Sequence, residues 1–249
     1  MKVIGIIPAR YASKRFPGKP LIDIAGKSMI QRVYEQAKKS IETVFVATDD
    51  KRIEQAVLNF GGEVIMTSKK HNSGTDRIAE AISIINESET EPFDIIVNIQ
   101  GDEPFIYPEQ IDTVIKCFRK KRTQIATLAK HIINTEDIFN ENKPKVILNH
   151  KQEALNFSRS PIPFLRGKKK SEWVTSHKYY KHIGLYAYRL NILNEITQLK
   201  ASPLEIAESL EQLRWLENGY KIVVEETEFE SIGIDTPKDL KRIYDTGIL

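Results

Sequence analysis

The residue types best suited to chemistry gather in one loop near the start of the chain, residues 8–20, which read PARYASKRFPGKP. Four cations lie in this loop: Arg10, Lys14, Arg15 and Lys19. Arginine offers a planar fork to phosphate oxygens, and lysine offers a compact point charge. Three prolines restrict the backbone, and Gly18 allows a tight turn. A rigid cationic loop suits a polyphosphate, although a charge cluster by itself more often means a solvated surface.

The position of this loop favours a ligand site over a solvated surface. An apolar run at residues 3–7 predicts a buried strand before it, and helical periodicity at residues 27–40 predicts a helix after it. Open α/β sheets bind ligands where a strand ends in this way. The loop is not a Walker A motif, because Ser13 and Pro20 stand where that pattern needs glycine and serine or threonine. A GxGxxG motif is also missing from the sequence.

Two aspartates stand at predicted strand ends. Asp102 follows the apolar run at residues 94–99 within QGDEP, and Asp235 lies in GIDTP after a short strand at residues 222–224. Mg²⁺ is typically bound by one or two carboxylates together with substrate phosphates. The pair therefore predicts a Mg²⁺ site. The simpler interpretation is a turn aspartate at 102 and a second capping group at 235, beside the helix N-cap predicted at Thr236.

A polar segment, HNSGTDR at residues 71–77, precedes an amphipathic helix predicted at residues 78–85. Ser73 or Thr75 could cap that helix, which is the reading that composition favours. Alternatively, the small side chains and main-chain groups around Ser73 and Gly74 could bind a nucleobase edge. The two roles are compatible.

Strands and helices alternate through the first half of the chain, which predicts a mostly parallel, Rossmann-like α/β sheet. Further strands are predicted at residues 43–47, 63–66 and 124–129, and further helices at residues 51–60 and 108–121. We expect residues 1–129 and 221–249 to form a nucleotide-binding domain. Residues 130–220 predict a smaller α+β section with a hairpin at 145–149 and 154–158, a strand at 182–188 and a long helix at 204–217.

Composition limits the possible classes of function. The net charge is +3, from 37 basic and 34 acidic residues, which gives no field-based reason to expect nucleic acid as a partner. Cys117 is the single cysteine and lies in an apolar helical pattern, so we expect it in the core and not as a nucleophile. The sequence has no signal-peptide pattern and no run of 18 apolar residues. We therefore expect a soluble cytoplasmic protein without membrane insertion.

Motifs along almost the whole chain resemble one enzyme family. They are IIPARYASKRFPGKPL (6–21), VATDD (46–50), HNSGTDR (71–77), VNIQGDEP (97–104), NFSRSPIP (156–163), HIGLYAYR (182–189), SPLEIAESLEQLR (202–214) and GIDTP (233–237). The first is shared by sugar-nucleotide cytidylyltransferases in general. The set as a whole resembles the CMP-Kdo synthetases, the 3-deoxy-manno-octulosonate (Kdo) cytidylyltransferases. Residues 166–173 follow no pattern of that family.

The resemblance implies a nucleotide-diphospho-sugar transferase fold and a homodimer built largely through the smaller section. It implies that CTP is bound by Arg10, Ser13, Lys19, Ser73, Gly74 and Gln100, with Arg10 and Lys19 stabilising phosphate charge during the reaction. The resemblance also implies that Asp102 and Asp235 are ligands of a catalytic Mg²⁺. It implies that the acid sugar Kdo is held by Arg159, His182, Tyr186, Glu211 and Gln212. A structural role for His182 is nearly as well supported by its position beside a strand.

The implied reaction joins CTP and Kdo to give CMP-Kdo and pyrophosphate, for lipopolysaccharide synthesis. Two other classes of function stay open. A cytidylyltransferase for another acid sugar, such as 8-amino-Kdo or a sialic acid, would keep the first loop and alter the sugar side. A non-catalytic CTP-binding module would not need two carboxylates at strand ends.

Overall fold

A computed structural model describes residues 1–12, 16–230 and 232–245. The strands are β1 (Val3–Ala9), β2 (Asp23–Ile24), β3 (Lys27–Ser28), β4 (Thr43–Thr48), β5 (Glu63–Met66), β6 (Ile95–Asn98), β7 (Ile125–His131), β8 (Lys145–Leu148), β9 (Ala154–Ser158), β10 (Tyr180–Arg189) and β11 (Ile222–Glu226). The α-helices are α1 (Met29–Ala37), α2 (Lys51–Asn59), α3 (Gly74–Glu87), α4 (Pro108–Lys116), α5 (Thr135–Phe139), α6 (Trp173–Ser176), α7 (Leu190–Ile196), α8 (Pro203–Glu208), α9 (Gln212–Glu217) and α10 (Pro237–Asp245). Short 3₁₀ helices form at Lys19–Leu21, Cys117–Arg119 and Lys170–Glu172.

The chain divides into two compact units, the first made of residues 1–112 and 231–249 and the second of residues 113–230. The sequence-based division placed these boundaries after residues 129 and 220. The difference arises from strand pairing, because β7 pairs with both β10 and β11. These pairings place residues 125–131 and 222–226 in the second unit.

The first unit contains a parallel sheet in the order β6-β1-β4-β5. In register, Ile6 of β1 lies opposite Phe45 on one side and Asn98 on the other. Ile4, Ile6 and Ile7 are fully buried, as expected of a central parallel strand covered on both faces. The predicted α/β class with a largely parallel, Rossmann-like sheet is confirmed.

Side-chain caps start the helices that follow these strands. Ser28 accepts a hydrogen bond from the Gln31 amide at the start of α1, and Asp50 accepts one from the Arg52 amide at the start of α2. Gly61, with φ +76°, follows the end of α2, where the sequence predicts a break. Because α1 begins at its cap and not at Lys27, it is shorter than the predicted span of residues 27–40.

The second unit is built on antiparallel pairs. Strands β7 and β10, β10 and β8, and β8 and β9 are antiparallel, while β11 runs parallel to β7. The β8-β9 pair is the predicted hairpin, which is therefore confirmed. Along β10 the register with β7 shifts between Ile183 and Tyr186. Bulges of this kind change the direction in which the neighbouring side chains point.

The long helix predicted at residues 204–217 is wrong. Two short helices, α8 and α9, stand there instead, separated by Ser209 in the left-handed region with φ +51°. The interruption has a tertiary cause that periodicity cannot reveal. The Glu208 carboxylate accepts hydrogen bonds from the Ser158 hydroxyl and the Arg159 amide, two groups some 50 residues earlier in the chain.

Cys117 is a core residue, as predicted. It is 5% exposed, and burial raises the pKa of its thiol to about 12, which removes it from nucleophilic chemistry near neutral pH. Among the described helices, none has the length and apolar character needed to cross a bilayer.

Candidate active site

A cavity of about 450 Å³ opens at the carboxyl ends of β1 and β6 in the first unit. Its lining includes six residues that the sequence analysis assigned to the nucleotide or the metal: Arg10, Lys19, Ser73, Gly74, Gln100 and Asp102. Ser13 lies outside the described residues, so its predicted role is not tested. The strand-end position of the cavity is the one that open α/β sheets use for ligands.

The cavity wall formed by α3 combines both roles considered for the HNSGTDR segment. Ser73 is the N-cap of α3, where its hydroxyl accepts a hydrogen bond from the Asp76 amide at 3.0 Å. The cap interpretation is therefore confirmed. Ser73 and Gly74 also line the cavity. The start of a 14-residue helix thus faces the space, with main-chain amides and a partial positive charge available to a polar or anionic ligand.

The loop after β6 approaches Pro8, near the end of β1 and at the start of the cationic loop 8–20, so closely that only glycine fits at residue 101. A Cβ atom built on Gly101 would lie 2.9 Å from the Pro8 carbonyl oxygen. Beside it, Gln100 Nε2 donates a hydrogen bond to Asn98 Oδ1 at 3.1 Å. The QGDEP motif therefore keeps the two loops in contact and turns Asp102 into the cavity.

Lys19 joins the two aspartates that the sequence placed at strand ends. Its ammonium lies 2.8 Å from Asp102 Oδ2 and 3.1 Å from Asp235 Oδ1. The Lys19 side chain is 13% exposed, whereas the two aspartates are 33% and 44% exposed. The two carboxylates therefore converge on one position that already holds a positive charge.

Main-chain and capping bonds fix the loop that carries Asp235. The Ile234 amide donates to the Asp102 carbonyl at 2.9 Å, which ties the two aspartate loops together. Asp239 Oδ2 accepts from the amides of Asp235 and Thr236 and from the Thr236 hydroxyl. The Thr236 hydroxyl oxygen in turn accepts from the Asp239 amide at 3.4 Å at the start of α10, so the N-cap predicted at Thr236 is confirmed.

Three further residues line the cavity without an individual role predicted from the sequence: His71, Asn72 and Arg77. Arg77 is 4% exposed and donates to the Thr67 hydroxyl at 2.6 Å and to Asp49 Oδ2 at 3.0 Å. His71 pairs with Glu80 through Nε2. Burial alone would raise the pKa of Glu80, but hydrogen bonds from His71 and the Ser68 amide lower it. The sequence feature that could have indicated these three residues is the HNSGTDR motif, which contains all of them.

In the second unit, the residues assigned to the acid sugar fall into two groups. One group lies around Tyr186, whose ring centroid is 5.3 Å from that of His182 and 5.2 Å from that of Trp215. Burial raises the pKa of Tyr186 well above its usual value, and Tyr188 and Glu211 raise it further, against a small opposite effect of Thr127. Tyr186 is therefore a neutral phenol near neutral pH.

Three buried polar atoms of this group lack a well-formed hydrogen bond within the described part of the chain: Tyr186 Oη, Gln212 Nε2 and Trp215 Nε1. Buried polar groups in proteins are nearly always paired, and unpaired ones often mark a ligand or water position. Two of the three belong to residues assigned to the sugar.

The other group surrounds Arg159, which lies at the end of β9. Its guanidinium donates to the carbonyls of Glu208 at 2.6 Å, Glu141 at 3.0 Å and Ser209 at 3.3 Å. These bonds use three of the five guanidinium N–H groups. The side chain is thus fixed in place and keeps hydrogen-bonding capacity for an anion.

His182 is a neutral side chain in this environment. Its Nε2 lies 3.0 Å from the Thr127 hydroxyl, which is also within hydrogen-bond distance of the carbonyls of Ile183 and Leu185. A hydroxyl has one proton, so if it donates to a carbonyl, it accepts from His182 Nε2 and leaves Nδ1 as the acceptor nitrogen. Burial lowers the pKa of His182 to about 3. His182 can therefore accept from a hydroxyl but does not supply positive charge to a carboxylate.

Three comparisons with known proteins agree on the family. A family model described as "Cytidylyltransferase" matches residues 4–223. The chain belongs to the cytidylyltransferase family. A protein of Parabacteroides distasonis named 3-deoxy-manno-octulosonate cytidylyltransferase is 63% identical over 97% of this chain and 96% of its own length. One of the same name from Bacteroides thetaiotaomicron is 59% identical, with the same coverage.

Solved structures extend this finding. A CMP:2-keto-3-deoxy-manno-octonic acid synthetase complexed with CTP is 43% identical, covers 99% of this chain and 98% of its own, and superposes with a TM-score of 0.89. A 4-diphosphocytidyl-2C-methyl-D-erythritol synthase from Anaerococcus prevotii is only 12% identical, with a TM-score of 0.59 over 98% of this chain and 97% of its own. The second likeness concerns the fold alone.

The neutral state of His182 in this cytidylyltransferase predicts a specific dependence of stability on pH. Between about pH 6.5 and 3, the unfolded chain binds a proton at this histidine and the native chain does not. Stability is therefore lost as the pH falls, by up to about 1.4 kcal/mol per pH unit from this group. We expect His182→Gln to reduce the slope of the free energy of unfolding against pH between pH 7 and 5, measured by urea denaturation.

The matched control is His150→Gln, which removes an exposed histidine from the β8-β9 turn. It is expected to leave the slope at the wild-type value. Equal slopes for wild type and His182→Gln would mean that His182 is not held neutral in the native state.

Proposed function

We propose that this cytidylyltransferase transfers the cytidylyl group of CTP to the anomeric hydroxyl of Kdo, giving CMP-Kdo and pyrophosphate. The observation that carries the proposal is the convergence of Lys19, Asp102 and Asp235 beside a nucleotide-sized cavity at the strand ends. The names of the relatives at 63% and 59% identity support the choice of sugar and base. The product would serve lipopolysaccharide synthesis in the cytoplasm.

In this proposal the cavity of the first unit takes CTP. Arg10 is exposed at the end of β1, and Lys19 is mostly buried, so both cations can reach phosphate oxygens at the cavity wall. Ser73, Gly74 and Gln100 offer hydroxyl, amide and carboxamide groups to the ribose and the cytosine edge. Ser13 belongs to the same proposal through the resemblance of its motif.

The residues present fit a Mg²⁺ ion held by Asp102 and Asp235. Both carboxylates already face a single cation, the Lys19 ammonium, and both are partly open to solvent. Within the described ranges no set of three or more His, Cys, Asp or Glu side chains could hold a metal. Two carboxylates are what a Mg²⁺ site needs when substrate phosphates and water supply the other ligands. When bound, Mg²⁺ would neutralise phosphate charge and lower the pKa of the attacking hydroxyl.

The second unit would hold the acid sugar. Arg159 is the residue for the Kdo carboxylate, since its fixed guanidinium keeps N–H groups for an anion. Neutral His182 and Tyr186, together with Gln212, offer hydrogen bonds to sugar hydroxyls in a buried setting. Glu211, whose charge acts on Tyr186, can accept a hydrogen bond from a hydroxyl.

The chemistry is an in-line displacement at phosphorus. The anomeric oxygen loses its proton and bonds to the α-phosphorus of CTP, and the bond from the α-phosphorus to the bridging oxygen breaks to release pyrophosphate. Such a transfer depends on positioning and on neutralising charge, with no covalent intermediate on the protein. Arg10 and Lys19 would stabilise the charge that builds on the phosphate oxygens.

Pyrophosphate release by the purified protein tests this proposal. Kdo and Mg²⁺ are supplied with CTP, UTP, ATP and GTP in turn, and then CTP is supplied with 8-amino-Kdo or a sialic acid. We expect release only with CTP, and most efficiently with Kdo. Release with another acid sugar but not Kdo would overturn the sugar assignment and keep the nucleotide site. CTP binding without release with any acid sugar would indicate the non-catalytic alternative.

We also propose a homodimer formed through the second unit. Six large apolar side chains of this unit are exposed: Ile133 (71%), Leu155 (59%), Phe164 (75%), Leu204 (47%), Ile206 (70%) and Phe229 (37%). Leu155 lies on β9, and Leu204 and Ile206 lie on α8. Exposed apolar surface of this kind is typical of a protein–protein interface.

Light scattering at working concentration tests the dimer. We expect a dimeric mass for the wild type and a shift towards monomer for Ile206→Asp. The matched control is Leu58→Asp, which places a charge on an exposed apolar position of the first unit and should keep the wild-type mass. A clean monomer for the wild type would remove the proposal.

A further inference from the structure

Lys145 is a fully buried lysine at the start of β8 for which the proposed reaction has so far given no role. It is 0% exposed. Its ammonium donates to the carbonyl oxygen of Asn140 at 2.9 Å and to that of Arg159 at 2.5 Å. Burying a cation against neutral carbonyls costs free energy that an apolar residue at the same position would not cost. The site therefore needs a reason to keep a positive charge.

The bonds of Lys145 connect the segments that hold Arg159. One bond goes to the Arg159 main chain, and the other to Asn140, which directly precedes Glu141. The Glu141 carbonyl in turn accepts from the Arg159 guanidinium. Lys145 thus fixes both the backbone that carries Arg159 and one of the carbonyls that orient its side chain.

The charges around this cluster do not balance. Lys145 and Arg159 contribute two positive charges, and the Glu208 carboxylate, which acts on Lys145 and accepts from the Arg159 main-chain amide, contributes one negative charge. The Glu208 carboxylate accepts hydrogen bonds from the Ser158 hydroxyl and the Arg159 amide, while the bonds of the two cations go to main-chain carbonyls. These three side chains therefore carry an excess of one positive charge, which the carboxylate of an anionic ligand would neutralise.

We propose that Lys145 is a positioning residue of the acid-sugar site: it orients Arg159 and supplies the second positive charge that makes this cluster favour a carboxylate. The inference rests on the proposed function and adds a determinant to its sugar side. It assigns Lys145 to affinity for the acid sugar and not to the nucleotide, because its contacts lie with Asn140 and Arg159 in the second unit.

Lys145 is also expected to lose its proton within a pH range in which activity can be measured. Burial lowers the pKa of Lys145 to about 8, with Glu208 acting against the shift and Arg159 adding to it. Other charged groups nearby are Lys143, which pairs with Asp137 at 2.7 Å, and Lys181, which lies opposite Lys145 in the β10-β8 pair and forms an ion pair with Glu230. Burial also lowers the pKa of Lys181. A test must therefore separate Lys145 from Lys181.

The experiment compares steady-state pyrophosphate release by wild type, Lys145→Met and Lys151→Met. Lys151 is exposed in the turn of the same β8-β9 hairpin, so its variant controls for the loss of one charge. For Lys145→Met we expect the KM for Kdo to rise about tenfold or more, as when a charge-assisted interaction is lost, with the KM for CTP within about twofold of wild type. Lys151→Met should match wild type in both constants.

A pH profile supplies the readout that a purely structural role would not move. Between pH 7 and 9.5 we expect the wild-type KM for Kdo to rise as Lys145 loses its proton, and the Lys145→Met value to stay flat. If the KM for Kdo still rises with pH in Lys145→Met, the rise is due to another group, such as Lys181, and the inference is overturned. The inference is also overturned if folded Lys145→Met has an unchanged KM for Kdo, or if its KM values for Kdo and CTP rise equally.

If Lys145→Met does not fold, the wild-type profile decides alone, and a KM for Kdo that is flat from pH 7 to 9.5 contradicts the inference. Failure of the proposed function looks different, because wild type then releases no pyrophosphate with CTP and Kdo. If another acid sugar is active, the same comparison is made with that sugar. If none is active, both proposals fall.

Discussion

Replacing Lys19 with methionine is expected to have opposite effects on turnover and on metal affinity. The Lys19 ammonium lies 2.8 Å from Asp102 and 3.1 Å from Asp235, so it occupies the position that a divalent ion would need. Without it, the two carboxylates repel each other and bind a metal ion more readily. The same change removes a cation from the CTP phosphates. We expect turnover to fall by about 10²–10³, the cost of losing one electrostatic contact to a transition state.

The two effects are measured separately. Pyrophosphate release at saturating CTP and Kdo gives turnover, and calorimetric titration of Mg²⁺ or Mn²⁺ into the nucleotide-free protein gives metal affinity. We expect tighter metal binding by Lys19→Met than by wild type in the absence of CTP. The matched control is Lys27→Met, which removes another lysine–carboxylate pair of the first unit, with Glu35 at 2.6 Å. It should change neither quantity. Weaker metal binding by Lys19→Met would show that Lys19 supports the metal site instead of competing for it.

Replacing Asp235 with asparagine is expected to lower turnover by at least about 10². The side chain keeps its size and an oxygen that can accept a hydrogen bond from Lys19, so the loop held by Asp239 and the Ile234 amide should stay folded. What is lost is one of the two carboxylate charges proposed for Mg²⁺. Asp102→Asn should behave in the same way, and the double variant should lose much less than the product of the two effects, because the residues act as a unit.

Turnover over a range of Mg²⁺ concentrations measures this effect, and thermal unfolding checks that the variants are folded. Asp245→Asn is the matched control, since it removes an exposed carboxylate from α10 immediately downstream. Near-normal turnover by Asp235→Asn at saturating Mg²⁺ would contradict a Mg²⁺ site formed by Asp102 and Asp235.

Much of the first unit could be predicted from local sequence. The apolar strands before residues 8–20 and 101–104, the cap at Ser73 and the cap at Thr236 all depend on patterns of fewer than ten residues. Because parallel strands deliver their carboxyl ends to one edge, locating Asp102 at a strand end was enough to place it near the first loop.

Long-range contacts account for what the sequence did not reveal. The break at Ser209 depends on hydrogen bonds from Ser158 and Arg159 to Glu208, which no helical periodicity encodes. The bond between Lys19 and Asp235 joins residues 216 positions apart. The pKa of His182 is low because the side chain is buried beside Thr127. The residues next to His182 in the sequence do not predict that burial. The boundaries of the two compact units differ from the predicted domain boundaries for the same reason, since they follow the pairing of β7 with β11.

The identity of the product shows whether the protein joins CMP to an acid sugar. The purified protein is incubated with CTP, Kdo and Mg²⁺, and the quenched mixture is analysed by mass spectrometry alongside a pyrophosphate assay. We expect CMP-Kdo and pyrophosphate in equal amounts, with neither formed when Kdo or Mg²⁺ is left out. Bound but unchanged CTP, or pyrophosphate with free CMP and no sugar adduct, would contradict it.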